Sequence, residues 1–129
     1  MNGKLLDTNA VIALQKGVVG MVQLVKSSEN VVIPAIVVGE LLFGTLNSAQ
    51  RETNMKVLEK LIDTNPIIPV DVMTSRHYAD IRLSLKQKGR PIPENDLWIA
   101  AIAIQYGYTL VTADKHFSYV DGLYLESWL

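Results

Sequence analysis

The chain alternates short apolar runs with longer stretches in which apolar positions recur at helical spacing. Leu5-Leu6, Val31-Val32-Ile33, Thr109-Leu110-Val111-Thr112 and Leu123-Tyr124-Leu125 read as strands. Ile67 and Ile68, fenced by Pro66 and Pro69, read as a brief edge strand, because proline supplies no N–H to a central ladder. Helices are predicted over 9–16, ended by Gly17, and over 18–26. A third, over 35–46, follows Pro34, which a first helical turn tolerates; its pattern is apolar nearly all round and predicts a largely buried helix. The stretch 48–63 is amphipathic, with Met55, Val57, Leu58, Leu61 and Ile62 set against Arg51, Glu52, Lys56, Glu59 and Lys60. Further helices are expected over 74–88, stopped by Gly89, and from Asn95 to Gly107, with a short helical turn over 114–119.

Strands alternating with helices define an α/β fold with a mostly parallel central sheet. In such sheets ligands collect beyond the carboxyl ends of the strands, where the following helices begin. With 129 residues and no repeat, low-complexity tract or linker, residues 1–129 are expected to form a single domain.

Composition narrows the chemistry. Cysteine is absent and there are 2 histidines, so thiolate sites and histidine-rich zinc sites are excluded. Any metal is held mainly by oxygen, which points to magnesium or manganese. A net charge of -1 gives no global attraction for nucleic acid, so any RNA contact must be local. No secretory signal precedes Asp7, and the most apolar stretch, 31–46, is shorter than a bilayer span and interrupted by Pro34 and Glu40. A cytoplasmic protein without a membrane segment is the expectation.

The acids carry the specific signal. Asp7 ends the first strand where a helix begins, Asp96 lies at the start of an apolar helix, and Asp114 follows the strand ending at Thr112. Each has a structural explanation as a cap or a first-turn acid. Glu40 has none, because its helical neighbours Ile36, Val37, Phe43 and Gly44 offer it no polar stripe. A buried carboxylate requires a cation or hydrogen-bond donors nearby. Several acids at one rim repel one another unless a divalent ion neutralises them, and such an ion fits phosphodiester hydrolysis.

These residues carry a resemblance. LLDTN at 5–9, IPAIVVGELLFG at 33–44, GRPIPENDLWIAA at 89–101 and LVTADKHF at 110–117, in this order, resemble the PIN-domain proteins, and specifically the VapC-type toxin ribonucleases of type II toxin–antitoxin systems. The resemblance implies a PIN-like three-layer α/β/α sandwich and a Mg2+- or Mn2+-dependent endoribonuclease that uses a metal-activated water. It assigns Asp7, Glu40 and Asp96 as core metal ligands, with Asp114 completing the site and Asn9 and Thr112 supporting it. It also implies an RNA substrate, a VapB-type antitoxin that blocks the acidic site, a homodimer and possible larger assemblies. The apolar segments 18–26 and 55–62 are candidate parts of the antitoxin groove.

The basic stretch 74–90 offers Arg82, Lys86 and Arg90 as candidate RNA-backbone contacts. His116 is expected to pack beside Phe117 and His77 to lie on a helix surface, neither of them catalytic. A haloacid-dehalogenase-like phosphatase is disfavoured because Asn9 stands where its second aspartate belongs. The alternative reading is a noncatalytic PIN-fold module that binds RNA or protein.

Overall fold

The computed structural model describes residues 3–129. Five strands, β1 (Lys4–Leu6), β2 (Val31–Pro34), β3 (Ile67–Ile68), β4 (Thr109–Val111) and β5 (Tyr124–Glu126), form one sheet in the order β3-β2-β1-β4-β5. Every pairing is parallel, so the sheet is parallel throughout and not merely for the most part. The Ile67–Ile68 strand lies at one edge, as its flanking prolines predict.

The helices are α1 (Thr8–Gln15), α2 (Val19–Lys26), α3 (Ala35–Leu46), α4 (Arg51–Thr64), α5 (Val72–Lys88) and α6 (Glu94–Tyr106), with a 3-10 turn over Lys115–Tyr119. Helices α5 and α6 end at Gly89 and Gly107, at φ 67° and 70°. Only glycine adopts that left-handed conformation without steric penalty. Among the described residues no single helix is long and apolar enough to cross a membrane.

Leu5, Leu6, Ile33, Leu110 and Val111 are fully buried at the sheet centre, each large side chain contributing about 1.5–3 kcal/mol by leaving water. The sequence of α6 places Ala100, Ala101 and Ala103 beside Ile99 and Ile102, all buried, and these small residues let the helix lie close to its neighbours.

One expectation is corrected. Helix α3 is not buried all round: Val37, Leu41 and Thr45 face the core, while Gly39, Phe43, Gly44 and Leu46 are exposed. Its all-apolar pattern conceals this division because the exposed side is itself apolar. Strand β5 also runs one residue later than its hydrophobic pattern predicts and ends on Glu126, whose carboxylate pairs with Lys4.

The sheet has its switch point beside β1. From there the chain proceeds outward through β2 and β3, then returns to β4 on the opposite side of β1 and moves outward again to β5. Adjacent strands whose connections leave in opposite directions open a crevice at their carboxyl ends. That crevice lies where Leu6 pairs with Val111.

Candidate active site

The two residues that follow the Leu6–Val111 pair are Asp7 and Thr112, both 5% exposed. The Asp7 N–H donates to the Val111 carbonyl at 3.3 Å, and its Oδ1 accepts the Ala10 N–H at 2.8 Å to cap α1. The Thr112 hydroxyl accepts the Asp114 N–H at 3.0 Å. Capping and site-building are therefore two roles of one aspartate, since a cap occupies only one carboxylate oxygen.

Burial raises the pKa of Asp7. Donation from the Thr112 side chain and the Ala10 N–H opposes that rise, while the charges of Asp114 and Glu40 add to it. Asp96, in the first turn of α6, is raised chiefly by burial as well; the His116 ring opposes this, and Asp114 and Asp7 reinforce it. Asp7 thus lies within electrostatic reach of Glu40, Asp96 and Asp114, and repulsion among these acids is balanced only in part by the protein's own donors.

Asp96 is not consumed by capping. Pro93 occupies the cap position of α6, and no side chain closes that helix end. The carboxylate instead meets His116, whose Nε2 lies 2.8 Å from Asp96 Oδ2. On the other side of the ring, Nδ1 lies 2.7 Å from Asp114 Oδ1, the same oxygen that accepts the His116 N–H at 3.2 Å. One donor atom from each of Asp96, Asp114 and His116 falls within 4.8 Å of the others.

Glu40 is half-buried on α3, at the boundary between the helix's core face and its exposed face. Among the described residues its Oε1 is buried without a hydrogen-bond partner, and so is the Thr8 hydroxyl. Both residues line a groove of about 410 Å³ with Ile12, Gly44, Val57 and Leu58. A buried acceptor left without a partner costs about 1–3 kcal/mol, more if charged. An ion or a donor supplied from outside the chain removes that cost, so these residues suit a hard divalent cation.

Asn9 is exposed on the first turn of α1, and its side chain enters none of the hydrogen bonds at the site. The basic residues of α5 are more engaged than their sequence indicates. Arg82 donates to the Tyr78 hydroxyl at 2.6 Å and lies 3.7 Å from Glu94. Arg90 stacks its guanidinium 4.8 Å from the centre of the Tyr119 ring. Lys86 lines a cleft with Arg82 and Glu94 and is exposed.

His116 is the residue whose role the sequence concealed. It does pack on Phe117, with ring centres 4.7 Å apart, but it also bridges two acids. The available signal was its place two residues after Asp114 in a turn that Asp114 itself caps. Thr8 was equally silent, being hidden as the middle residue of Asp7-Thr8-Asn9.

A PIN domain model matches residues 4–123. Ribonuclease VapC2 of Rickettsia felis is 34% identical over 129 residues, covering 96% of each chain. Ribonuclease VapC1 of Haemophilus influenzae is 30% identical over 129 residues, again covering 96% of each. Among solved structures, VapBC2 from Rickettsia felis bound to a DNA fragment from its promoter is similar at a TM-score of 0.89, with 32% identity and 98% of each chain covered. DNA-bound VapBC from Salmonella typhimurium is similar at a TM-score of 0.92, with 26% identity and full coverage of both chains. The chain belongs to the PIN domain family and, within it, to the VapC type.

Proposed function

We propose that this chain is the toxin of a type II toxin–antitoxin system and acts as a metal-dependent endoribonuclease. Residues 1–129 make one PIN domain, with Asp7, Glu40, Asp96 and Asp114 as the acids that hold Mg2+ or Mn2+. What supports this reading is that Asp7, at the switch point, feels the charges of Glu40 and Asp114 and acts on Asp96, with the Glu40 Oε1 buried and lacking a partner among the described residues.

A bound divalent ion supplies a water of lowered pKa and counters charge on a phosphoryl oxygen. The chain's own residues prepare that chemistry. Asp7 is held by the Ala10 N–H and by the Thr112 side chain, which fix its carboxylate at the strand end. Thr112 holds the backbone of Asp114 and keeps the two strand ends in register. The buried walls around Asp7 exclude bulk water, which strengthens every charge interaction there.

Relatives named VapC and solved VapBC complexes support a VapB-type antitoxin as partner. The groove running from Glu40 past Gly44 to Val57 is a fitting place for an apolar antitoxin segment, and the exposed Phe43 and Leu46 lie on the same helix. A homodimer within a toxin–antitoxin assembly, and residence in the cytoplasm, complete the reading.

The test is RNA cleavage by the full chain with EDTA and with Mg2+ or Mn2+ restored. Cleavage is expected to stop on chelation and return with the ion. The Asp7→Asn and Asp96→Asn variants should keep a native circular dichroism spectrum and lose cleavage. Chelator-resistant cleavage, or full function in both variants, would overturn the proposal in favour of other chemistry or a noncatalytic binding module respectively.

A further inference from the structure

Resting on that metal-dependent reading, we propose that His116 Nε2 is itself a ligand of the ion, and that this nitrogen makes the site prefer manganese to magnesium.

The ring is held as a ligand is held. Its Nδ1 lies 2.7 Å from Asp114 Oδ1, while its face packs on Phe117, which is 1% exposed. Swinging the ring away breaks both contacts. Each ring nitrogen faces a carboxylate oxygen, and in the tautomer that carries its proton on Nδ1, toward Asp114, the ring presents the lone pair of Nε2, as metal-binding histidines do.

That second nitrogen faces Asp96. Nε2 is buried and stands 2.8 Å from Asp96 Oδ2, a contact that lowers the cost of charge on Asp96 but falls short of an aligned hydrogen bond. A separation of this length suits an ion pair in the chain alone and equally suits two adjacent ligands of one ion. Donors each about 2.1 Å from an octahedral ion stand roughly 3 Å apart as neighbours and roughly 4.2 Å apart when opposite. The 2.8 Å contact between Asp96 and His116 is close to the separation of neighbouring ligands, and a donor atom of Asp114 lies within 4.8 Å of both.

The donor set then discriminates between ions. Magnesium takes oxygen and gives up its water reluctantly, whereas a first-row transition ion gains from an imidazole nitrogen. Among the two ions the acids fit, manganese is the one that uses His116. Asp114 accordingly serves partly as the carboxylate that aims His116, because its Oδ1 is turned to the ring and to the His116 N–H.

Pulsed electron paramagnetic resonance on the full chain loaded with Mn2+ tests this directly. The expected result is a nitrogen coupling at the Mn2+ that changes when histidine is labelled with 15N, persists in His77→Ala and disappears in His116→Ala. Calorimetry should show Mn2+ affinity falling by about ten- to a hundredfold in His116→Ala, with Mg2+ affinity falling much less. Mn2+ bound to the unaltered chain without histidine nitrogen coupling would overturn the inference and leave the acidic metal site standing. Equal losses for both ions would reduce His116 to a tie between Asp96 and Asp114. Failure of the unaltered chain to bind Mn2+ at all would remove both this inference and the metal-dependent reading beneath it.

Discussion

Asp7 and Thr112 leave the sheet side by side, one residue beyond the Leu6–Val111 pair, and both are almost completely buried. Parallel pairing fixes this neighbourhood. A slip of one residue in the register of β1 against β4 would turn every side chain of the strand to the opposite face and separate them. The crevice therefore inherits its geometry from the most buried part of the core, where Leu5, Leu6, Leu110 and Val111 are 0% exposed.

Thr112→Val should expose this dependence. The substitution nearly preserves shape but removes the hydroxyl that accepts the Asp114 N–H at 3.0 Å and donates toward Asp7. The expected loss is about 1–2 kcal/mol of stability by urea denaturation. A drop in Mn2+ affinity of about tenfold or more should accompany it, because the group orients the acids without belonging to them. Unchanged affinity would show that Thr112 serves only the strand end.

Burial gives the acids a distinctive pH signature. The pKa values of Asp7 and Asp96 both rise from 3.8, so the folded chain binds protons that the unfolded chain has released. Stability from these groups is full below 3.8 and is lost as pH climbs through the raised values, where the folded state must accept charge. Asp7→Asn keeps a capping side chain and removes one of these charges. In EDTA, its melting temperature relative to the unaltered chain should therefore increase from acidic to neutral pH. A divalent ion at 100 times its Kd should return about 2.7 kcal/mol to the unaltered chain and little to the variant. A pH-independent difference between the two proteins would contradict the burial argument.

Among the basic residues of α5, the engaged and the free should behave differently. Arg82 and Arg90 already have partners within the chain, Tyr78 and Tyr119, whereas Lys86 has its charge exposed. In the cleavage-deficient Asp96→Asn background, Lys86→Ala should weaken single-stranded RNA binding and reduce the salt slope by about 0.7, the loss of one phosphate contact. Arg90→Ala should instead lower the melting temperature with a smaller change of slope. Fluorescence anisotropy across a salt series reads both effects, and equal slopes for Lys86→Ala and the unaltered background would exclude Lys86 as a contact.

The sequence made the acids legible and left their partners hidden, for a physical reason. Asp7 follows an unmistakable buried strand, and Glu40 sits among apolar helical neighbours with no polar stripe to explain it. Those are local conflicts, visible within one turn of helix or one strand. His116 resolves no local conflict: beside Phe117 it satisfies the ordinary expectation of packing, and its contact with Asp96 depends on how the turn after β4 meets the start of α6. The stack of Arg90 on Tyr119 and the pairing of Lys4 with Glu126 are equally long-range. The exposed face of α3 was hidden differently, because Phe43 and Leu46 carry the same hydrophobic signal as the buried Val37 and Leu41.

Gly20 offers a case in which two effects of known size oppose each other. It is the second residue of α2, and replacing a helical glycine by alanine ordinarily stabilises by up to about 0.5–1 kcal/mol, the full gain belonging to interior positions. Here an added Cβ would clash with the Trp128 carbonyl oxygen, a backbone atom that cannot move aside by changing a side-chain rotamer. Trp128 packs against the core, so displacing its backbone forfeits apolar burial. Gly20→Ala should thus destabilise the full chain in urea and accelerate proteolysis after β5, the close contact outweighing the helical gain. In a chain ended at Ser127 the sign should reverse, and the same substitution should stabilise. Stabilisation of the full chain by Gly20→Ala would show that the terminal segment yields without loss.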